Sequence, residues 1–222
     1  MRYDVVALDM AGTTVVDDGM VEGAFARAFE RVSPAGIAFE TALAHVRDTM
    51  GQSKIEVFRA LTDEPTAQAL NQAFETAYGE LARAGGSRAI DGAEVTIRTL
   101  RDLGMKIVLT TGFSRATADA ILTSLGWTAL ADLTLTPAEA GRGRPAPDLP
   151  LTALLHVRGR SVGSLVVVGD TESDAASGAR AGAGLVVGVL TGGRTEHALR
   201  AAGAHEVIAS IRELPALLDA AT

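Results

Sequence analysis

Three apolar runs in this sequence end on oxygen-bearing residues. Tyr3-Asp4-Val5-Val6-Ala7-Leu8 is followed by Asp9. Lys106-Ile107-Val108-Leu109-Thr110 leads into Thr111-Gly112, and Leu165-Val166-Val167-Val168-Gly169 into Asp170-Thr171-Glu172-Ser173-Asp174. A carboxylate such as Asp9 can serve as nucleophile or metal ligand, and a hydroxyl beside a glycine suits the oxygens of an anion. Asp170 and Asp174 are four residues apart, so a helix starting near 171 lets both face one mouth. Several carboxylates converging there repel one another unless a cation lies among them. Hard oxygen donors with no His or Cys suit Mg²⁺. Singly, each Asp reads as a helix cap or a loop residue. Together they read as an active site, because open α/β sheets bind ligands beyond the carboxyl ends of their strands.

The elements that would position these groups follow from the hydrophobic pattern. Continuous apolar runs fit strands buried on both faces of a parallel sheet, and 133–136 and 185–190 add two more. Helical stretches are predicted near 91–103, 114–125, 148–157, 171–182 and 194–202. Strands alternating with helices imply a doubly wound, Rossmann-like α/β sheet. From Met20 to about Ala84 the pattern is helical only. Val21, Phe25, Ala28, Phe29 and Val32 mark one apolar face, and Leu70, Phe74, Ala77 and Leu81 another. A shorter helix is predicted from Ser53 to Leu61 with Ser53 as its cap, and Gly85-Gly86-Ser87 reads as a linker. The expected organisation is an α/β core (1–16 and 89–222) interrupted by an all-helical cap (17–88). Hinges are expected near 15–20 and 84–91, where Gly19, Gly85 and Gly86 suit motion.

Bulk properties narrow the partners. The 222 residues carry a net charge of −7, which argues against a nucleic acid. No run of 18 apolar residues predicts a membrane span. Asp4 and Asp9 inside the first apolar stretch argue against a signal peptide. With no cysteine there is no disulfide or thiolate metal site, and a soluble cytoplasmic protein is the default expectation. Only two of the 20 basic Lys and Arg residues are lysines, Lys54 and Lys106.

Asp9-Met10-Ala11-Gly12-Thr13-Thr14, Thr111-Gly112, Gly143-Arg144-Pro145 and Gly169-Asp170 with Asp174 resemble, in order, the four motifs of the haloacid dehalogenase superfamily. The helical insertion is similar to that superfamily's C1 cap. The resemblance implies an aspartyl-enzyme mechanism with Asp9 attacking phosphorus. It places Mg²⁺ on Asp9, the Ala11 carbonyl and Asp170, with Asp174 behind them. Thr111 and Gly112 would hold phosphoryl oxygens, and Arg144 would neutralise the transition state.

Position 11 narrows the family. Phosphatases of this superfamily usually carry a general-acid Asp two residues after the nucleophile, and here that residue is Ala11. Asp-x-Ala-Gly-Thr-Thr, Arg144, and the cap segment Met50-Gly51-Gln52-Ser53-Lys54-Ile55 resemble the phosphonatase branch, which cleaves a carbon–phosphorus bond. That likeness implies substrate contacts from Met50 and Gly51 and a Schiff base on Lys54. The chemistry agrees, since a carbon leaving group needs an electron sink that a lysine iminium provides and an arginine cannot. The alternative for Lys54 is a phosphate-contacting or surface lysine. Three residues depart from the branch: its histidine is Val57 here, its tyrosine Phe113 and its cysteine Met20. A phosphatase of small monoesters, similar to phosphoglycolate phosphatase, is the second expectation.

His45 is a candidate substitute for the missing histidine, against an exposed helix residue. His156, His197 and His205 read as surface residues. Thr191-Gly192-Gly193 reads as either a mouth or a plain turn, Glu172 and Ser173 as a helix start, and Trp127 as packing. The expected partner is a small phosphonate or phosphate, and the Ala-rich cap helices are compatible with a homodimer.

Overall fold

The computed structural model describes residues 2–220. Six parallel strands, β1 (Val5–Asp9), β2 (Lys106–Thr110), β3 (Leu133–Leu135), β4 (Leu165–Gly169), β5 (Leu185–Val189) and β6 (Glu206–Ile208), form one sheet in the order β3-β2-β1-β4-β5-β6. This is the doubly wound order, and its direction of winding reverses beside β1. Side chains alternate across the sheet as a two-residue period requires. Val6, Leu8, Ile107, Leu109, Val166 and Val168 join one apolar cluster, and Val5, Ala7, Val108, Leu165 and Val167 the other.

Helices α1 (Met20–Val32), α2 (Phe39–Asp48), α3 (Lys54–Arg59) and α4 (Glu64–Leu81) fill the interval between β1 and β2. After them come α5 (Ala93–Asp102), α6 (Arg115–Leu125), α7 (Pro137–Ala140), α8 (Asp148–His156), α9 (Glu172–Ala181), α10 (Glu196–Ala201) and α11 (Leu214–Ala220). Ile97 and Leu100 of α5, Ile121 of α6 and Leu218 of α11 cover one sheet face, and Leu149 of α8, Ala175 of α9 and Leu199 of α10 cover the other. Phe25, Phe58 and Phe74 hold α1, α3 and α4 together, with ring centroids 5.9–6.1 Å apart. Each such ring contributes about 1.5–3 kcal/mol by leaving water. The insertion and the first sheet face share one apolar cluster. Among the described residues no helix is long and apolar enough to cross a membrane.

The two chain crossings into the insertion are joined to each other. Val16 N donates to the Arg88 carbonyl at 2.8 Å and Ile90 N to the Thr14 carbonyl at 2.9 Å. Through this short antiparallel ribbon the chain enters and leaves α1–α4.

Several local expectations need correction. The first ladder begins at Val5 rather than Tyr3, because Asp4 instead meets the Ser164 carbonyl and Arg160 at the rim. The stretch read as a linker is partly helical: residues 82–86 add one wide turn to α4. Ala82 is fully buried there, and a Cβ on Gly86 would lie 2.7 Å from the Leu81 carbonyl. Ser53 sits at the N-cap of α3, but its side chain makes no capping hydrogen bond. The strand β6 and the helices α2, α7 and α11 were not singled out by the pattern.

Candidate active site

The polar residues gather where the winding reverses. Asp9 ends β1 in register with Thr110 of β2, and Asp170 follows β4 on the other side. Thr171 caps α9 through a capping box, accepting from Asp174 N while the Asp174 carboxylate accepts from Thr171 N at 3.2 Å and Thr171 Oγ1 at 2.5 Å. The box turns Asp174 back toward the strand ends. Thr13 Oγ1 donates to Asp170 Oδ1 at 2.9 Å, and Thr14 Oγ1 donates to the Asp9 carbonyl at 2.9 Å.

Arg144 ties the site together from the loop between α7 and α8. Its Nη1 lies 2.7 Å from Asp9 Oδ1, its Nε 2.7 Å from Asp174 Oδ1, and its Nη2 donates to Thr110 Oγ1 at 2.6 Å. All four residues are buried. A planar guanidinium with its donors in a fixed fork meets three such acceptors in one geometry, which a lysine cannot do. Thr111 is buried, lines the same cavity, and accepts from Phe113 N at 3.1 Å.

One oxygen from each of Asp9, Asp170 and Asp174 falls within a 4.8 Å cluster, so these carboxylates could hold a metal ion. The electrostatics fit one. Burial and the neighbouring Asp174 push the Asp9 carboxyl up to about 7 against the pull of Arg144. Burial and the charges of Asp9 and Asp174 hold Asp170 well above the carboxylate range. Such a cluster is relieved by a hard divalent cation. Gly12 and Gly192 both close on the Asp170 carboxylate, leaving no room for a side chain on either, and Gly12 has φ +86°. The carboxylate is therefore held between two turns, and glycine is required at Gly12 on both counts.

Above these groups lies a cavity of about 810 Å³ whose lining includes Asp9, Ala11, Met50, Gly51, Lys54 and Phe113. Lys54 is the first residue of α3, 4% exposed, with Nζ 5.9 Å from the Phe113 ring centroid. Among the described residues it has no ion-pair partner within 4.0 Å. Burial pulls its ammonium down to about 8, against the attraction of Asp17, Asp9 and Glu75. An amine near 8 is substantially neutral at mildly basic pH, the form in which nitrogen attacks a carbonyl.

The loop bearing Met50 to Ser53 meets the strand ends with glycine at each contact. A Cβ on Gly112 would lie 2.5 Å from the Gln52 carbonyl, on Gly143 2.8 Å from Ser53 Cβ, and on Gly51 2.5 Å from Thr171 Oγ1. Farther out, Arg194 donates to the Arg47 carbonyl at 2.7 Å, and Glu75 of α4 accepts from Ser114 N at 3.3 Å and Ser114 Oγ at 2.5 Å.

Among the residues singled out in the sequence, the structure brings together Asp9, Ala11, Met50, Gly51, Lys54, Thr111, Gly112, Arg144 and Asp170 around one cavity, with Asp174 behind Arg144. His45 is elsewhere: its Nε2 lies 3.2 Å from the Val57 carbonyl, and it does not line the cavity. His156, His197 and His205 are exposed. The turn after β5 does belong to the mouth, with Thr191 Oγ1 donating to the Gly12 carbonyl at 2.5 Å. Thr13, which donates to Asp170, and Asp17, which lines the cavity, were not singled out, and Thr110 was read only as part of a strand end. Thr110 had a signal, being the first of two threonines at one strand end.

Residues 3–182 match the haloacid dehalogenase-like hydrolase family. The phosphonoacetaldehyde hydrolase of Bacillus cereus is 30% identical over 213 residues, which cover 86% of this chain and 77% of that protein. A hydrolase from Pseudomonas syringae superposes with a TM-score of 0.85 at 25% identity, covering 99% of both chains. A phosphonoacetaldehyde hydrolase-like protein from Oleispira antarctica has the same fold, with a TM-score of 0.84 at 24% identity over 99% of this chain and 92% of its own.

Proposed function

The chain belongs to the haloacid dehalogenase-like hydrolase family, and from that premise we propose that it cleaves the carbon–phosphorus bond of a small aldehyde-bearing phosphonate, with Asp9 as nucleophile and Lys54 as the imine-forming amine. The observation that carries this reading is the buried Lys54, with its amine drawn toward neutrality, in the cavity that also holds Asp9. Ala11 supports it from the other side, because the position offers no acid for an alkoxide leaving group. The 30% identity to a phosphonoacetaldehyde hydrolase points the same way.

In the proposed sequence Lys54 condenses with the substrate aldehyde, losing water and leaving an iminium. An Asp9 carboxylate oxygen then attacks phosphorus. The phosphorus–carbon bond breaks, and its electron pair moves into the iminium to give an enamine. Water hydrolyses the aspartyl phosphate, and protonation and hydrolysis of the enamine release an aldehyde and free Lys54. Arg144 holds Asp9 in line and neutralises charge at phosphorus, while Thr111 and the Gly112 backbone receive its oxygens. Mg²⁺, held by Asp9, Asp170 and the Ala11 carbonyl with Asp174 behind them, would supply further charge neutralisation at the attacking carboxylate and the phosphonate. Residues 17–88 act as a cap that hinges on the ribbon at Val16 and Arg88 and excludes water when closed.

Borohydride added during turnover of phosphonoacetaldehyde should reduce the iminium and inactivate the enzyme with substrate carbon on Lys54, and Lys54→Arg should be inactive and untrapped. A wild-type enzyme that resists trapping, or turns over phosphoglycolate at least as fast as the phosphonate, would instead be a phosphatase of small monoesters.

A further inference from the structure

Imine formation needs more than an amine. The carbinolamine loses its hydroxyl as water only when that oxygen receives a proton. The position where the phosphonatase branch has a histidine is Val57, which is buried and whose carbonyl faces His45. Val57 has no side chain that can supply that proton, whereas the cavity lining includes a carboxyl group beyond the strand-end cluster.

Asp17 stands in the right place. It lines the same cavity as Lys54 and Asp9. Of the carboxylates near Lys54 it exerts the largest pull, ahead of Asp9 and Glu75. It is fastened to the start of α1 twice: Val21 N donates to its Oδ1 at 3.1 Å, and Met20 N donates to its carbonyl at 2.7 Å. Asp17 thus lies on the helical side of the Val16–Arg88 ribbon, as does Lys54 on α3. Burial holds its carboxyl above the ordinary range, partly opposed by Lys54 and the Val21 amide. The charged and titratable groups facing it are Lys54 from α3, Glu22 of α1, its neighbour Asp18, and Tyr78 from α4.

We propose that Asp17 is the proton-transfer residue of imine formation in this site. The inference rests on the Lys54 imine proposed above. The neutral Lys54 nitrogen adds to the aldehyde carbon, and after proton transfer the adduct is a neutral carbinolamine. The Asp17 carboxylic acid then protonates the carbinolamine hydroxyl, the carbon–oxygen bond breaks, and water leaves. The nitrogen lone pair completes the C=N bond, and the iminium stands beside the Asp17 carboxylate. In the return direction that carboxylate takes a proton from the water that hydrolyses the imine. The amine chemistry is then carried by the helical insertion and the phosphoryl chemistry by the strand ends.

Asp17→Asn separates this role from a structural one, because the amide oxygen still accepts from Val21 N. Borohydride trapping of phosphonoacetaldehyde should slow by roughly 100-fold or more in this variant. The loss of rate that follows deprotonation of the Asp17 acid as pH rises should be absent from its pH profile, and Asp17→Glu should recover part of the rate. Asp17→Asn trapping at the wild-type rate would overturn the assignment and leave the Lys54 imine standing. So would slow trapping with an unchanged pH profile, or equal loss in Asp17→Glu. A wild-type enzyme that is never trapped would overturn the imine itself.

Discussion

At the scale of single residues, the site works by placing charges where they are costly. Lys54 lies buried with its ammonium near 8 instead of 10.5. An unburied lysine would be under about 1% neutral at pH 8, whereas this one is about half neutral. In Asp17→Asn, where the amine alone titrates, the rate of borohydride trapping should therefore rise with pH toward a plateau above about 8, and a flat profile from pH 6 to 9 in that variant would contradict a neutral-amine attack. Stability carries the same sign. The folded pKa lies below the unfolded one, so the unfolded chain binds more protons between about 8 and 10.5, and Lys54 makes folding more favourable as pH rises through that window. Below it the buried ammonium is a net cost, and Lys54→Met should stabilise the protein at pH 7 by about 1–3 kcal/mol, read by urea denaturation, while abolishing turnover of the aldehyde phosphonate. Asp9, Asp170, Asp174 and Arg144 were legible in the sequence as candidates because each sits at a strand end or in a short motif. Thr110 and Asp17 were not. Arg144 selects Thr110 through a contact 34 residues away in sequence, and Asp17 looks like an ordinary helix-start acid until α3 is folded against α1.

Elements fix how those residues meet. The contact between the Met50–Ser53 loop and the strand ends depends on Gly112 and Gly143, neither of which has a positive φ. Alanine at either position is therefore compatible with the local backbone, and its cost falls on the contact alone. Gly112→Ala should displace the Gln52 carbonyl and with it Lys54, lowering kcat/KM by roughly 10- to 100-fold, with the melting temperature little changed. Steady-state kinetics beside a thermal melt distinguishes this from general destabilisation. The alternation of strands and helices was readable because the buried strands are continuous apolar runs, and the insertion because that alternation stops at Met20. β6 escaped because an edge strand of three residues, Glu206–Ile208, is too short and too polar to carry a period. The turn at 82–86 escaped because consecutive glycines signal a break, whereas here buried Ala82 extends the apolar face of α4.

At the scale of the whole molecule, the two halves of the proposed reaction are carried by the helical insertion and by the strand ends, which share one apolar cluster and meet across the cavity. Asp9→Asn should release no phosphate from phosphonoacetaldehyde yet still be trapped by borohydride on Lys54; loss of both together would mean that the amine chemistry depends on the nucleophile. The clustered carboxylates make a further prediction. Saturating Mg²⁺, at about 100 times its dissociation constant, should stabilise the native state by about 2.7 kcal/mol and raise the melting temperature by roughly 5–10 °C. Asp170→Asn should erase most of that shift in a thermal melt with and without chelator.

The glycine contacts between loop and strand ends also bear on which positions tolerate substitution. Gly51, Gly112 and Gly143 each face a neighbour too close to admit even a methyl group, so the fit of the Met50–Ser53 loop to the strand ends has few acceptable spellings. Phe113, Val57 and Met20 carry no such restriction from a missing Cβ, and all three are buried. Side chains on the inner wall can therefore change the shape and polarity of the cavity without disturbing the backbone contacts that seat the loop.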